Sequence, residues 1–97
     1  MSTKEIYIRD AFMVDDSGEV WKLHYFVRAL EGETTAYGIK IEMLSKTLSG
    51  GRLEWETAQG LTHSYEEAEG WAKVLAAGKV TPTALHEVVH DLQGVLC

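Results

Sequence analysis

The chain has one cysteine and no long run of apolar residues. Its single cysteine, Cys97, has no second thiol in the sequence with which to pair. No apolar run approaches the length that crosses a membrane, and Lys4, Glu5 and Arg9 fall where a signal peptide needs an uninterrupted apolar core. We therefore expect a cytoplasmic protein in a reducing compartment, with no membrane partner.

Several motifs of nucleotide and ester chemistry are also missing. The sequence contains no G-x-x-x-x-G-K-[ST], no G-x-G-x-x-G and no G-x-S-x-G, so it lacks the signatures of a P-loop, a dinucleotide fold and a nucleophile elbow. Acidic residues outnumber basic residues by 15 to 9, which gives a net charge of −6. Because this charge repels phosphate, we expect no nucleic-acid partner.

What the sequence does contain is the composition of an ordinary globular domain. Hydrophobic residues make up 45% and charged residues 25% of the 97 residues, with no internal repeat or low-complexity tract. A chain of this length builds one core and is too short for two. We predict a single domain over residues 1–97.

Hydrophobic and polar side chains alternate with period two along the first part of the chain, and turn-forming residues interrupt the alternation. The pattern predicts four strands, over residues 5–14, 20–30, 35–44 and 52–58. Turns are predicted at residues 15–19, at residues 31–33 and at Gly50-Gly51. Such short connections indicate an antiparallel meander.

The alternation also divides the predicted strands into a core-facing side and an outer side. The residues predicted to face the core are Ile6, Ile8, Phe12, Val14, Trp21, Leu23, Tyr25, Val27, Ala29, Tyr37, Ile39, Ile41, Met43, Leu53 and Trp55. Aromatic and arginine side chains interleave with other polar residues on the outer side, which is typical of a recognition patch. The candidate binding residues are Tyr7, Arg9, His24, Phe26 and Arg28 on this side, and Trp71 at the edge of the first helix. A solvated sheet face is the alternative.

After Gly60 the apolar residues recur with a helical period of about 3.6. Ser64 and Glu67 form a capping box, and the first helix ends at Gly78. Thr81-Pro82 begins a second helix, with the threonine as its cap. The buried stripes are predicted to be Tyr65, Ala68, Ala72, Leu75 and Ala76, then Leu85, Val88, Val89 and Leu92. The prediction is an α+β fold of order ββββαα, a four-stranded antiparallel meander followed by two helices packed on one face.

The second helix contains one segment with a known chemical meaning, His86-Glu87-Val88-Val89-His90. It reads as the H-E-x-x-H of zinc metallohydrolases, in which two histidines bind zinc and the glutamate polarises the attacking water. Under this interpretation His86 and His90 are metal ligands, Glu87 is catalytic and zinc is the cofactor. A third ligand would have to come from elsewhere, such as His24, His63 or an acidic side chain.

Two features of this segment favour an accidental match. On a helical projection His86 and His90 lie roughly 100–140° from the centre of the buried stripe, so both should face solvent or the helix flank. Asp91 follows the second histidine, where the extended zinc-protease pattern has an uncharged residue. The metal site therefore stays an alternative to two exposed histidines.

Two stretches carry a family resemblance. The segment Ala36-Tyr37-Gly38-Ile39-Lys40-Ile41-Glu42 and the later segment Lys79-Val80-Thr81-Pro82-Thr83-Ala84-Leu85-His86-Glu87-Val88-Val89 resemble a family of short uncharacterised proteins from low-GC Gram-positive bacteria and their mobile elements. The similarity covers about the last two thirds of the chain. It implies a shared fold and no particular activity.

These observations lead to two functional hypotheses. The first is a small non-enzymatic binding module, a regulator or inhibitor that acts on a larger protein or a small ligand and, if encoded by a mobile element, is directed at host defence. The alternative is a minimal zinc metallohydrolase that uses the second helix. Unpaired strand edges make either a monomer or a homodimer compatible with the sequence.

Overall fold

A computed structural model describes residues 2–45 and 52–95, and it has the predicted order of four strands followed by two helices. The strands form one antiparallel sheet in the order β1-β2-β3-β4. The elements are β1 (Ser2–Val14), β2 (Val20–Glu31), β3 (Ala36–Ser45), β4 (Arg52–Thr62), α1 (Tyr65–Ala77) and α2 (Leu85–Val95), with a 3₁₀ turn (Pro82–Ala84) before α2. The predicted turn at Gly50-Gly51 lies outside the described residues.

The turn between β1 and β2 is organised by the carboxylate of Asp15. Its Oδ1 accepts hydrogen bonds from the backbone N–H groups of Ser17 and Glu19, both at 2.9 Å, and from the Ser17 hydroxyl at 2.7 Å. Its Oδ2 accepts from the indole Nε1 of Trp21 at 3.0 Å. The bond from Trp21, followed by those from Ser17, lowers the pKa of Asp15 from 3.8 to about 2.

The core lies between one face of the sheet and the two helices. From β2 it takes Leu23, Tyr25 and Val27, and from β3 Ile39 and Ile41, all fully buried. Helix α1 contributes mostly small side chains together with Trp71 and Leu75, and α2 contributes Leu85 and Val89. Small residues let α1 lie close to the strands. The phenol of Tyr25 donates a hydrogen bond to the Val80 carbonyl at 2.8 Å, which ties β2 to the segment between the helices.

The helix ends agree with the sequence at one of the two predicted caps. The hydroxyl of Ser64 accepts a hydrogen bond from the backbone N–H of Glu67 at 3.2 Å and so caps α1. Thr81 makes no such bond; its hydroxyl instead pairs with that of Thr83 at 3.1 Å. Thr81 is at the N-cap position before Pro82, as predicted, but the predicted hydroxyl cap is not formed, and a 3₁₀ turn at Pro82–Ala84 leads into α2.

A bulge in β1 corrects the predicted face of Phe12 and Val14. Tyr7 pairs with Phe26 and Arg9 with Tyr25, so Ile8 is an extra residue on β1. With one extra residue, the alternation reverses beyond that point. Ala11 and Met13 then pack against the core, while Phe12 and Val14 lie on the opposite face and are 48% and 64% exposed.

Strand β4 also presents the face opposite to the one predicted. Ala58 pairs with Ile39 and is buried against the core. Counting back in steps of two places Glu56 on the same side and Trp55 on the other. Trp55 and Leu53, predicted to face the core, are therefore 58% and 53% exposed. On this strand the small residue Ala58 is buried, and the large residue Trp55 is exposed.

Gly38 explains why β4 can approach β3 so closely at this point. A Cβ atom built on Gly38 would lie 2.2 Å from the carbonyl oxygen of Ala58, a backbone atom that cannot move aside. The pairing of β3 with β4 shifts register here, between Tyr37 and Ile39. Gly70 in α1 is the opposite case, because its added Cβ would meet no atom within 4 Å.

Alanine at these two glycines should change stability in opposite directions. We expect Gly38→Ala to lower the free energy of unfolding by about 1–3 kcal/mol, the usual range for overpacking. The matched variant Gly70→Ala should raise it by about 0.5–1 kcal/mol, because alanine is the better helix former and the site is open. Urea denaturation of both variants measures this. Equal effects of the two substitutions would contradict the close approach at Gly38.

The low pKa of Asp15 predicts an acid-sensitive step in stability. Since the folded pKa lies below the unfolded value of 3.8, the carboxylate stabilises the fold above pH 3.8, and this contribution is lost as the pH falls towards 2. The free energy of unfolding, measured by denaturation at several pH values between 5 and about 2, should therefore decrease more steeply with falling pH for the parent than for Asp15→Asn. Asp16→Asn, in the same turn, is the control and should keep the parent's pH dependence.

Candidate functional site

The outer face of the sheet is the side opposite the core. Within residues 2–45 and 52–95 both helices pack on the other side, against Leu23, Tyr25 and Val27. Strand pairing assigns to the outer face Glu5, Tyr7, Asp10, Phe12 and Val14 of β1, Lys22, His24, Phe26 and Arg28 of β2, Lys40, Glu42 and Leu44 of β3, and Leu53, Trp55 and Thr57 of β4.

Exposed hydrophobic side chains are concentrated on this face. Six large hydrophobic residues of the described chain are about half exposed or more, and only Val74, on α1, lies elsewhere. The other five are on the outer face: Tyr7 at 52%, Phe12 at 48%, Val14 at 64%, Leu53 at 53% and Trp55 at 58%. The three on β1 and the two on β4 lie on the two edge strands of the same face. Exposed hydrophobic residues gathered on one face are a feature of interaction sites.

Three rings on β1 and β2 form a packed cluster at the centre of the outer face. The ring of Tyr7 lies 5.7 Å from that of Phe26 and 5.8 Å from that of His24, and His24 lies 6.3 Å from Phe26. All three pairs meet edge to face, the geometry that aromatic quadrupoles favour. Partial desolvation and the neighbouring Asp10 carboxylate raise the pKa of the Tyr7 phenol. Contacts among the three rings therefore restrict their motion in the free protein.

Lys40 connects the ring cluster to β4. Its Nζ lies 3.2 Å from the carboxylate of Glu5 and 3.3 Å from that of Glu42. The same ammonium is 5.8 Å from the centre of the Phe26 ring and 5.5 Å from that of Trp55, within cation–π range of both. Only 15% of the Lys40 side chain is exposed. The lysine is a fixed part of the surface.

The remaining lysine and arginine side chains of the face are ion-paired as well, and His24 also lies near a carboxylate. Nε of Arg28 lies 3.3 Å from Glu5, and Nζ of Lys22 lies 3.7 Å from Asp10. Nδ1 of His24 lies 3.8 Å from Glu42. Three lysine or arginine side chains thus face three carboxylates, and with a neutral histidine the net charge of the face is zero, against −6 for the chain.

The structure brings together four of the six predicted binding residues, namely Tyr7, His24, Phe26 and Arg28. The other two are corrected. Arg9 pairs with Tyr25 beyond the bulge and so belongs at the edge of the core-facing side. Trp71 is only 7% exposed and packs in the core, since it lies on the buried stripe of α1 with Ala68 and Leu75.

The sequence interpretation missed Trp55, Leu53, Phe12 and Val14 as members of this face. The alternation of Leu53 and Trp55 with Glu54 and Glu56 fixes which residues share a side, but not which side meets the core. Hydrophobicity favoured the tryptophan for burial. Only the pairing of Ala58 with Ile39 reverses that choice, and pairing of this kind is not visible in one sequence.

An open groove of about 310 Å³ lies beside the edge strand β4, next to the outer face. It is lined by residues 53–56 on one side and by Pro82 and Thr83 on the other. Trp55 therefore borders both the groove and the ion-paired surface. The groove widens the area that a bound protein could contact at this edge.

The H-E-x-x-H segment lies on the exposed side of α2. His86, Glu87 and His90 are all exposed, as the helical projection predicted. Nε2 of His86 lies 3.7 Å from the Glu56 carboxylate. His24 is on the far side of the sheet, so it is not available to the two α2 histidines as a third ligand.

His63 is engaged elsewhere, because its Nδ1 lies 3.1 Å from the Thr35 carbonyl oxygen. Across the described part of the chain, no three histidine, cysteine, aspartate or glutamate side chains are grouped closely enough to hold a metal ion. His86 and His90 alone would leave zinc with half of its usual four ligands.

We therefore expect weak zinc binding. Protein purified without a histidine tag and dialysed against a mild chelator should carry well under one equivalent of zinc, because two exposed imidazoles do not form a closed site. Elemental analysis of the dialysed protein measures this. Stoichiometric zinc that disappears in His86→Ala would contradict the expectation and support the hydrolase alternative.

No helix among the described residues has the length and apolar character needed to cross a membrane.

Comparison with known proteins places the chain in a family. No curated protein and no solved structure shows significant similarity to the chain. A family model described as a family of unknown function, DUF6514, matches residues 4–95. That match spans nearly the whole sequence, and the chain therefore belongs to the DUF6514 family.

Proposed function

We propose that this protein is a small non-enzymatic binding module whose recognition surface is the outer face of the sheet. The observation that carries the proposal is the location of the exposed hydrophobic residues, five of six on that one face. Exposing Trp55, Leu53 and Val14 to water is unfavourable. A partner that covers them recovers that free energy.

The arrangement of the face favours tight recognition at low entropic cost. Its anchors stand on strands rather than loops, and ring contacts and ion pairs already restrict Tyr7, Phe26 and Lys40. Binding must immobilise rotamer-rich side chains at about 0.5–1.5 kcal/mol each, and side chains that are already held lose less. Aromatic residues surrounded by paired charges are also typical of the energetically dominant centre of protein interfaces.

A protein is the partner class that fits this face better than a nucleic acid. Binding to phosphate requires cations free to replace counterions, yet Arg28, Lys40 and Lys22 each lie within 3.7 Å of a carboxylate. The chain's overall charge of −6 adds repulsion. A protein surface that is apolar and carries few unpaired charges does not need free cations on this face, and the negative charge of the chain does not repel it.

The biological role that fits a module of this size is regulation or inhibition of a larger protein in the cytoplasm. Occupying or covering part of another protein requires no catalytic residues. The family resemblance to proteins of low-GC Gram-positive bacteria and their mobile elements makes a host defence protein one partner to test. A zinc metallohydrolase that uses His86, Glu87 and His90 is the alternative, and the zinc assay above separates it from the binding module.

Affinity capture from the native host tests the proposal when matched surface variants are compared. Trp55→Ala and Tyr7→Ala remove exposed outer-face anchors, while Val74→Ala removes a side chain of similar exposure, 53%, from α1. We expect the two outer-face variants to bind the captured protein at least about 30-fold more weakly, corresponding to roughly 2 kcal/mol for a hot spot. Val74→Ala should bind like the parent.

Melting temperatures of the variants provide the control for folding. All three side chains are about half exposed, so each variant should melt within a few degrees of the parent. If the two outer-face variants keep full affinity while Val74→Ala loses it, recognition takes place on the helical side and the proposal is wrong.

A further inference from the structure

We propose that the outer face is covered by a second copy of this chain, so that the protein is a homodimer of two sheets packed face to face. The inference rests on the proposed function, because it assigns an occupant to the same recognition surface; a larger protein that binds this face then displaces the second copy. Its support comes from charge, from area and from the order of side chains across the sheet.

The charge of the outer face suits contact between identical molecules. Each lysine or arginine on it is paired with a carboxylate of the same face, so two copies can approach without placing a net charge at the contact. Exposed carboxylates on the other side of the molecule include Glu66 and Glu67 on α1 and Glu87 and Asp91 on α2. In a face-to-face dimer the helices point away from each other, which places these groups farther apart than the screening length of about 8 Å at physiological salt.

The area of the face is close to what a specific dimer needs. Four strands spaced at about 4.8 Å give a width of about 19 Å, and about ten residues at about 3.3 Å each give a length of about 33 Å. Each copy would then bury roughly 600 Å², or about 1,200 Å² in total, the lower end of the range for specific interfaces. Weak and transient complexes are found at this end of the size range, and we therefore expect micromolar affinity.

The order of side chains across the strands lets the face meet a copy of itself without opposing like charges. A two-fold axis parallel to the strands and midway between β2 and β3 lays β1 over β4 and β2 over β3 of the second copy. Phe12 then faces Leu53, His24 faces Glu42, and Phe26 faces Lys40 of the second copy. The same axis lays Trp55 over Asp10 and Lys22 over Leu44 of the second copy. None of the five pairs brings like charges together, and each occurs twice because of the symmetry.

Sedimentation velocity of the purified full chain tests the inference directly. Between about 1 and 500 µM, a range that brackets micromolar affinity, the parent should shift from a species of 10.8 kDa to one of twice that mass. Trp55→Ser should weaken dimerisation at least about tenfold, since the anchor is lost from both copies. Val74→Ser, equally exposed on α1, should dimerise like the parent.

The outcomes that overturn the dimer are distinct from those that overturn the binding module. A parent that sediments at 10.8 kDa throughout the range excludes the second copy as occupant. A parent dimer that Trp55→Ser and Leu53→Ser both leave intact must use another surface, which also overturns the inference. If the parent is a monomer and Trp55→Ala still loses the captured protein, the face recognises that protein and the proposed function stands alone.

Discussion

The extra residue at Ile8 decides which side chains of β1 lie on the outer face. Without it, Phe12 and Val14 would point to the core, and Arg9, Ala11 and Met13 would lie on the outer face beyond Tyr7. With it, Ala11 and Met13 pack against the core, and the two large apolar side chains lie on the outer face. The bulge therefore lowers the apolar volume that β1 contributes to the core and raises the apolar area that β1 exposes.

The sequence predicted the order of elements, the turn at Asp15, the cap at Ser64 and the buried faces of β2 and β3, because these depend on neighbouring residues. Tyr25 and Ile41 sit on strands that are paired on both edges, where regular alternation is least disturbed. The edge strands were harder, since a bulge in β1 and the close approach of β4 at Gly38 arise from pairing between distant segments. The site residues that were missed are all on those two strands.

The neutral outer face also changes how the acidity of the chain should be understood. A net charge of −6 spread evenly would repel a second copy from every direction. In this fold, β2 and β3 bring Arg28 and Lys40 next to Glu5 and Glu42, so cations and carboxylates compensate locally. The excess of acid is left to the rest of the surface, where Glu87 and Asp91 flank the two histidines of α2. A second copy therefore meets no net charge when it approaches the outer face, and it meets the excess of acidic residues when it approaches from other directions.

The three tryptophans occupy three different environments, and this gives the protein a built-in optical reporter. Trp71 is enclosed by the core, and the indole N–H of Trp21 is held by the Asp15 carboxylate. Trp55 alone stands in water, beside the ammonium of Lys40. A soluble quencher of fluorescence therefore reaches Trp55 first, and anything that settles on the outer face shields that one emitter. Binding to the outer face can therefore be followed by the intrinsic fluorescence of Trp55, without attaching a dye.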